Sequence, residues 1–449
     1  MDTPIWDYVR RYAESNTVRL HMPGHKGRPY LGMEPYDLTE VAGADSLYCP
    51  DGIIARSERN AASLFGSAHT VYSCGGSSQC IMATLWLLAG YAARTHRRPL
   101  VAAARNVHQS FVSGLAQTGL DVLWMYADSA EPLTCILEPV GLDRMLRMLS
   151  TLPVAVYVTS PDYAGRMQDV AALAEVCHRY GVLLVVDNAH GAYLHFLPTP
   201  LHPIDLGADI VCDSAHKTLG VLTGGAYLHL SSACPDYFAA YAKDAMLAVG
   251  STSPSYLILS SLDVANRTLA EEDYRTRLSD VAKAVQDARR KLAEADWITV
   301  GNEPLKMSLS TRFRGYTGTE VADHLRAHGI EPEHADPSLL VLMLSADTRL
   351  DEVQRTVDAL AALPARGILL PMRATPTPPP RAMSVRDAYL APRIRLPLAQ
   401  CEGRTLSYLR VSCPPAVPVV VAGEVLTPSI LRYLGDLGYT HLDVVDTVQ

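Results

Sequence analysis

Short apolar runs alternate with longer amphipathic stretches along the chain from about residue 66 onwards. The amphipathic stretches at residues 78–96 and 169–181 each predict a helix. The apolar runs predict strands, and they read HTVYSC, RPLVAAA, VAVYVTS, VLLVVD and ADIVCD. Because these strands are apolar throughout and alternate with helices, we expect a mostly parallel sheet that is covered on both faces.

Changes in this pattern predict three domains. Residues 1–60 are rich in Gly, Pro and Asp and predict an extended arm with loops, and residues 61–296 form the large domain. The large domain ends in a long polar helix at residues 263–296. Residues 297–449 form one or more smaller α+β domains.

The pattern within the smaller part is again strand, helix, strand, helix. Strands are predicted at KMSLSTR and LLVLMLS, and helices at residues 318–329 and 351–363. Pro371–Pro380 predicts a linker or a rigid loop, and VPVVVAG at residues 417–423 is strand-like.

Composition and charge exclude several classes of protein. A hydrophobic content of 48% and a charged content of 19% are typical of a globular protein. The formal net charge of -8, without a block of Lys and Arg, disfavours a nucleic-acid partner. No apolar run approaches the roughly 18 residues of a membrane span, and the N-terminus has no signal-peptide pattern. We therefore expect a cytoplasmic protein without a membrane partner, whose nine cysteines are small buried hydrophobes.

The first predicted strand ends in CGGSS, Cys74–Ser78, and a helix begins there. Gly75 and Gly76 would let the backbone approach a ligand closely, and free N–H groups at a helix N-terminus bind phosphate. The alternative is an ordinary tight turn, in which Ser77 or Ser78 only caps the helix.

Two later strands end in polar residues. VLLVVD ends at Asp187, and a carboxylate at the end of a buried strand needs a cationic partner or a metal. A metal site using Asp187, His190 and His195 has irregular spacing compared with zinc patterns, so no metal site is predicted. ADIVCD is followed directly by SAHK, so Lys217 emerges at the same edge of the sheet as Asp187.

A phosphate loop, a buried carboxylate and a lysine at one sheet edge suit pyridoxal phosphate. This cofactor needs a lysine for its Schiff base, a carboxylate for its ring nitrogen and an anion site. The alternative for Lys217 alone is an exposed loop lysine. The other His–Lys pair, at Lys26 in HMPGHKG, lies in the Gly/Pro-rich arm with no strand before it.

Several motifs, in order along nearly the whole chain, resemble those of the Orn/Lys/Arg decarboxylases. They are HMPGHKG, DLTEVAGADSL, ARNVHQS, TSPDYAGRMQDV, VVDNAHGAYLHF, SAHKTL, STSPSYLILSSLD and VSCPPAVPVVVAGEVL. The resemblance implies an α/β fold of type I, with an aminotransferase-like large domain of mostly parallel sheet and a smaller α+β C-terminal domain. It also implies the short form that lacks an N-terminal wing domain.

The resemblance implies a role for each matching residue. Lys217 would form the Schiff base, Asp187 would pair with the ring nitrogen, and Ala189 and His108 would lie against the two ring faces. Gly75, Gly76, Ser77, His190, Ser214 and His216 would help to hold the cofactor or the lysine loop. Thr252 and Ser253 would approach the phosphate from a neighbouring subunit, so a homodimer with active sites at its interface is implied.

The chain departs from the family pattern at several positions. Asn188 stands where Glu is usual, and Gly224 where Gln is expected. Cys74 and Gly76 replace Asn and Thr or Ser. Further departures are Ala164 for an aromatic residue, and Cys413, Ala416 and Ala422 for Tyr, Gly and Pro.

The implied activity is decarboxylation of a basic L-amino acid (arginine, lysine or ornithine), which would supply an amine for polyamine biosynthesis. Lys217 or His216 would return a proton to Cα. A cationic substrate needs an acidic partner, for which Asp45, Glu40 and Glu333 are candidates.

Two alternatives remain open from the residues themselves. One is transamination, racemisation or elimination on the same cofactor. A transaminase needs an arginine fork for the substrate carboxylate, and candidates are Arg393, Arg395 and Arg410. The other is a non-catalytic homologue that only binds the cofactor.

Overall fold

The computed structural model describes residues 1–127, 133–370 and 377–446. The strands are β1 (His69–Ser73), β2 (Leu100–Ala104), β3 (Asp121–Met125), β4 (Ala155–Thr159), β5 (Leu183–Asp187), β6 (Ile210–Asp213), β7 (Ala226–Leu230), β8 (Ile298–Val300), β9 (Lys306–Ser310), β10 (His334–Ala335), β11 (Leu339–Met343), β12 (Arg393–Pro397), β13 (Leu406–Tyr408) and β14 (His441–Val445). The helices are α1 (Pro4–Glu14), α2 (Ile53–Phe65), α3 (Gly76–Arg94), α4 (Gln109–Thr118), α5 (Pro139–Met148), α6 (Val170–Arg179), α7 (Ala215–Thr218), α8 (Asp236–Ala248), α9 (Tyr256–Leu269), α10 (Glu272–Glu294), α11 (Gly318–Ala327), α12 (Leu350–Ala361), α13 (Val385–Leu390) and α14 (Pro428–Asp436).

The chain divides into two compact units. The first comprises residues 1–91, 169–281 and 345–347, and the second comprises residues 92–168, 282–344 and 348–449. The predicted boundaries at residues 60 and 296 are not tested by this division and stay a prediction.

Four strands of the first unit are ordered β1, β7, β6, β5. β5 and β6 run parallel, with Asp187 opposite Cys212, whereas β7 is antiparallel to both β6 and β1. Every residue of β5, β6 and β7 is buried, as expected for strands that are apolar along their whole length. The parallel pair places the ends of β5 and β6 side by side, so the residues that follow Asp187 and Asp213 are neighbours.

The second unit contains three sets of strands. β4, β2 and β3 form parallel pairs in that order. β10, β11, β9 and β8 form an antiparallel sheet, and so do β12, β14 and β13. The apolar core beside the last sheet is made by Leu406, Val420, Leu426, Ile430, Leu434, Leu442 and Val444, among others.

The predicted helix at residues 263–296 is wrong in its extent. The structure has two helices there, because α9 begins earlier, where Ser255 caps it by accepting a hydrogen bond from the Ile258 N–H at 3.4 Å. α9 ends at Leu269, and α10 begins three residues later. Asp263 therefore lies in the middle of a buried helix instead of starting one.

The strand-like VPVVVAG does not form a strand. Val420 and Val421 are buried as the pattern suggests, but side chains bond the backbone in place of a neighbouring strand. The Arg105 guanidinium donates to the carbonyls of Pro418 and Val419 at 3.0 and 3.1 Å, and the Val421 N–H donates to Glu424 at 2.7 Å. Of the predicted linker at residues 371–380, residues 371–376 lie outside the described part of the chain.

The cysteines only partly match the expectation of small buried hydrophobes. All nine are free thiols, and five of them are buried, but Cys49 and Cys413 are exposed. Among the described helices, none is long and apolar enough to cross a membrane.

Candidate active site

The loop between β1 and α3 forms one wall of the predicted cofactor site. Gly76, the first residue of α3, has a φ of +70°, and its N–H donates to the carbonyl of Gly224 at 2.8 Å. Ser214, directly after β6, donates its hydroxyl to Ser77 Oγ at 2.7 Å. The first N–H groups of a helix have no partner within the helix. Two buried serine hydroxyls therefore lie beside an N-terminus that suits an anion.

Gly224 has a conformation that excludes a side chain. Its φ is +98°, and a Cβ there would lie 2.9 Å from the carbonyl oxygen of Cys74. The departure from Gln to Gly at this position therefore follows from the close approach of two backbones, because the Gly224 carbonyl must also reach the Gly76 N–H.

Lys217 lies in α7, a helix of four residues that follows β6 directly. Its Nζ is 2.9 Å from His190 Nε2. His190 is buried and follows the end of β5 by three residues. A lysine ammonium has only donors, so His190 Nε2 accepts from it when the amine is charged.

Asp187 ends β5 with its side chain buried. One oxygen, Oδ1, accepts a hydrogen bond from the Ala189 N–H at 3.2 Å. Ala189 itself is half-buried. The structure thus brings together, in the first unit, the carboxylate, the lysine and the phosphate loop that the sequence predicts at one sheet edge.

His216 is half-buried, and its ring donates from Nδ1 to the Gly225 carbonyl at 3.0 Å. Burial lowers the pKa of His216, and the charge of Lys217 lowers it further, although the bond to Gly225 acts in the opposite direction. The neutral ring therefore carries its proton on Nδ1 and a lone pair on Nε2.

Other predicted site residues belong to the second unit or are exposed, and their predicted roles stay predictions. His108 and Glu333 belong to the second unit, where His108 caps α4 and Glu333 accepts from the Tyr163 hydroxyl at 3.0 Å. Thr252 and Ser253 are exposed, and no observation tests their predicted approach to a neighbouring subunit.

The two acidic candidates in the arm differ from each other. Glu40 is exposed and accepts from the Ser46 hydroxyl at 2.8 Å. Asp45 accepts from five backbone N–H groups, including those of Gly52 and Ile54 at the start of α2. Burial acts to raise the pKa of Asp45, but these bonds hold it below its usual value. Asp45 therefore caps a helix, and its role toward a substrate stays a prediction.

A buried polar cluster beside the lysine loop was missed by the sequence reasoning. His202, Asp213 and His229 place their ligand atoms within 4.8 Å of one another, and Asn188 Nδ2 donates to Asp213 at 2.7 Å. Asp213 ends an apolar strand, just as Asp187 does, so the same argument about a buried strand-end carboxylate could have singled it out. Its histidine partners come from other segments and have no signal in the sequence.

The residues of the first unit fit pyridoxal phosphate by their chemistry. They comprise a half-buried lysine beside a histidine, a buried carboxylate at a strand end, and a helix N-terminus flanked by Ser77 and Ser214. These are the amine, the anion for a ring nitrogen and the phosphate cradle that this cofactor needs.

Comparison with known proteins identifies relatives over nearly the whole chain. The model of the Orn/Lys/Arg decarboxylase family, major domain, matches residues 3–309. An arginine decarboxylase of Halalkalibacterium halodurans is 30% identical over 476 residues, which cover 98% of this chain and 94% of the relative. An arginine decarboxylase of Bacillus subtilis is 29% identical, with 96% of this chain and 93% of the relative covered.

Solved structures show the same fold at lower identity. A lysine decarboxylase of Francisella novicida has a TM-score of 0.81 at 16% identity, covering 99% of this chain and 81% of that chain. A serine palmitoyltransferase of Sphingomonas wittichii has a TM-score of 0.58 at 14% identity, covering 81% of this chain and 83% of that chain.

The solved structures confirm the predicted α/β fold of type I, and the family match confirms the predicted cofactor. The family match and the arginine decarboxylase relatives also confirm the predicted reaction, decarboxylation of a basic amino acid. The chain belongs to the Orn/Lys/Arg decarboxylase family.

Proposed function

We propose that this chain is an arginine decarboxylase that converts L-arginine to its amine and carbon dioxide. The observation that carries the proposal is the contact of 2.9 Å between Lys217 Nζ and His190 Nε2, in the same unit as buried Asp187 and the N-terminus of α3. The choice of arginine is supported by the relatives, because two that match over nearly their whole length are named arginine decarboxylases.

Residues of the first unit would hold the cofactor. Bound pyridoxal phosphate supplies an electron sink for the charge left on Cα when carbon dioxide leaves. Asp187 would hold a proton on the ring nitrogen, since a buried carboxylate stabilises a nearby cation. Ser77 and Ser214, with the first N–H groups of α3, would hold the phosphate.

Lys217 is the better of the two predicted proton donors. The proton of neutral His216 lies on Nδ1 and is engaged by the Gly225 carbonyl, so Nε2 can accept a proton but has none to give. The Lys217 amine carries protons and is held by His190 at 2.9 Å. We therefore assign the return of a proton to Cα to Lys217 Nζ.

A homodimer in the cytoplasm is proposed along with the activity. Its support is the arm between α1 and α2, where large apolar side chains are exposed in the single chain: Leu20 is 91% exposed and Leu31 is 90% exposed. Six large apolar side chains are exposed between residues 18 and 33, and such a segment favours a protein partner. The exposed Thr252 and Ser253 suit the predicted contact with the phosphate of a second subunit. An amine product would supply polyamine biosynthesis.

The substrate is tested with the purified protein loaded with pyridoxal phosphate. Arginine, lysine and ornithine are supplied separately, and carbon dioxide and the amine products are followed by mass spectrometry. We expect the highest kcat/KM for arginine. Faster turnover of lysine or ornithine would overturn the choice of substrate, and no carbon dioxide from any of the three would overturn the decarboxylase activity.

The site is tested with the two His–Lys pairs as matched variants. Borohydride trapping followed by peptide mass spectrometry should find the cofactor on the peptide that contains Lys217. Lys217→Ala should lose this adduct and the activity, whereas Lys26→Ala, in the arm, should keep the adduct. An adduct that persists on another lysine in Lys217→Ala contradicts the assignment.

A further inference from the structure

A fully buried polar cluster lies at the end of β6, four residues before Lys217. Asp213, His202 and His229 are all 0% exposed. His202 Nε2 is 2.9 Å and His229 Nε2 is 3.3 Å from Asp213 Oδ2, and Asn188 Nδ2 donates to the other oxygen, Oδ1, at 2.7 Å. The ring of Phe65 packs against both histidines, with centroid separations of 5.7 and 4.6 Å.

The hydrogen bonds of the cluster do not suit a metal ion, although its spacing would allow one. His202 Nδ1 accepts from the Ile204 N–H at 3.3 Å, so the ring proton of His202 is on Nε2 and points at Asp213. A histidine ligand needs a lone pair on the nitrogen that faces the metal. The cluster is therefore a buried carboxylate that accepts hydrogen bonds from His202 Nε2 and Asn188 Nδ2, with His229 Nε2 close to the same oxygen as His202.

The two histidines keep the Asp213 carboxylate ionised. Burial alone would raise its pKa, but the opposing effect of His202 and His229 is larger, and the pKa lies below its usual value. A buried carboxylate that stays charged needs strong donors. Asn188 supplies one of these donors and lies directly after Asp187 in the chain.

We propose that Asp213 is a positioning residue for the reaction: its bond to Asn188 fixes the turn carrying Asp187 and His190 against the short helix carrying Lys217. Asp213 is linked to both partners of the Lys217–His190 contact. Lys217 follows it by four residues in the chain, and its hydrogen bond to Asn188 holds the turn in which His190 follows two residues later. The inference rests on the cofactor site of the proposed function, but it does not depend on which amino acid is the substrate.

Asn188 suits this position because its amide can donate a hydrogen bond to the Asp213 carboxylate. Its backbone N–H donates to the Cys212 carbonyl at 2.9 Å, and its carbonyl accepts from the Gly191 N–H at 2.8 Å, so the turn is tied on both sides. A Glu at position 188, as is usual in the family, would direct a second carboxylate toward Asp213. The departure at position 188 is thus explained by the acid at position 213.

The test compares Asp213→Asn and Asn188→Ala, alone and together, with Asp209→Asn as the matched control. Asp209 is also buried and also bonds a histidine, His178, at 3.0 Å, but it lies at the opposite end of β6. The readouts are the pyridoxal phosphate concentration at half-saturation, the pH midpoint of the visible absorption of the loaded protein, and the Tm.

We expect each of the two variants near the site to raise the half-saturation concentration roughly tenfold and to shift the pH midpoint, because a lost charged hydrogen bond is worth about that factor. The half-saturation concentration of the double variant should lie within about twofold of that of Asn188→Ala, because both changes disrupt the same hydrogen bond. Asp209→Asn should lower the Tm and leave both cofactor readouts unchanged.

Three results would overturn the inference. They are a wild-type-like half-saturation and pH midpoint in Asp213→Asn, additive effects in the double variant, or the same cofactor effects in Asp209→Asn. If Asp213→Asn does not fold, Asn188→Ala decides alone, because it leaves the carboxylate and its histidines in place. Wild-type protein that fails to bind pyridoxal phosphate would instead contradict the proposed function itself.

Discussion

Replacing Gly224 with alanine should damage the cofactor site through the backbone. A residue with a Cβ at a φ of +98° stores about 1–3 kcal/mol of strain. The added Cβ would also lie 2.9 Å from the Cys74 carbonyl oxygen, so one of the two backbones must move by several tenths of an ångström. That movement pulls on the 2.8 Å bond from the Gly76 N–H to the Gly224 carbonyl, which fixes the start of α3.

The expected loss of cofactor affinity follows from the strain at position 224. If about 1.4 kcal/mol of the strain is relieved by displacing the start of α3, the cofactor binds about tenfold more weakly. The assay is a titration of Gly224→Ala with pyridoxal phosphate, followed by visible absorption, with a thermal scan of the same samples.

Gly32→Ala is the matched control for Gly224→Ala. Gly32 has nearly the same φ, +96°, but no heavy atom lies within 4 Å of the position of its Cβ. It therefore carries the conformational strain without the close contact. Equal Tm values and equal cofactor affinities for the two variants would refute the reasoning.

Further predictions concern a buried acid and two of the three acidic candidates for substrate binding. Burial raises the pKa of Asp263, which caps α1, to about 6. Because this value lies above the 3.8 of the unfolded chain, the stability that the group contributes is complete below about pH 4 and is lost, by about 3 kcal/mol, as the pH rises through 6. In thermal scans, the Tm of Asp263→Asn minus the Tm of the wild type should therefore increase by a few degrees from pH 5 to pH 8. A Tm difference that does not change with pH would contradict the raised pKa. Asp45→Ala should lower the Tm without a change in the KM for arginine, since its oxygens bond the backbone at the start of α2. Glu333→Gln should raise the KM for arginine several-fold and leave the Tm unchanged, if the exposed carboxylate binds the substrate guanidinium; an unchanged KM removes Glu333 from the site.

The sheet edge could be predicted from the sequence because its signals are local. Asp187 and Lys217 each follow a run of buried apolar residues, and parallel strands end at a common edge. The polar pattern that predicts a helix begins only after Asp263, so it does not mark the start of α9, although Ser255 is an ordinary cap. VPVVVAG has the composition of a strand, but its backbone partners are the side chains of Arg105 and Glu424, which no local pattern reveals.

The details around the lysine could not be predicted because they depend on segments that are distant in the chain. Asn188 can be understood only once Asp213 is known to face it, and Asp213 needs His202 and His229 from two other segments. Gly224 is similar, since the Cys74 carbonyl that excludes its Cβ lies about 150 positions earlier in the chain. Single-sequence patterns report which face of an element is buried, but not which side chains meet there.

The distribution of the thiols gives the protein a built-in pair of attachment points. Burial raises the pKa of Cys74 and of Cys177 to about 12, so neither forms a reactive thiolate near neutral pH. Cys49 and Cys413 are the exposed cysteines, and they belong to different compact units. A maleimide dye pair would thus label each unit once without any engineered cysteine. Peptide mass spectrometry of the labelled protein should then find one adduct on the peptide with Cys49 and one on the peptide with Cys413.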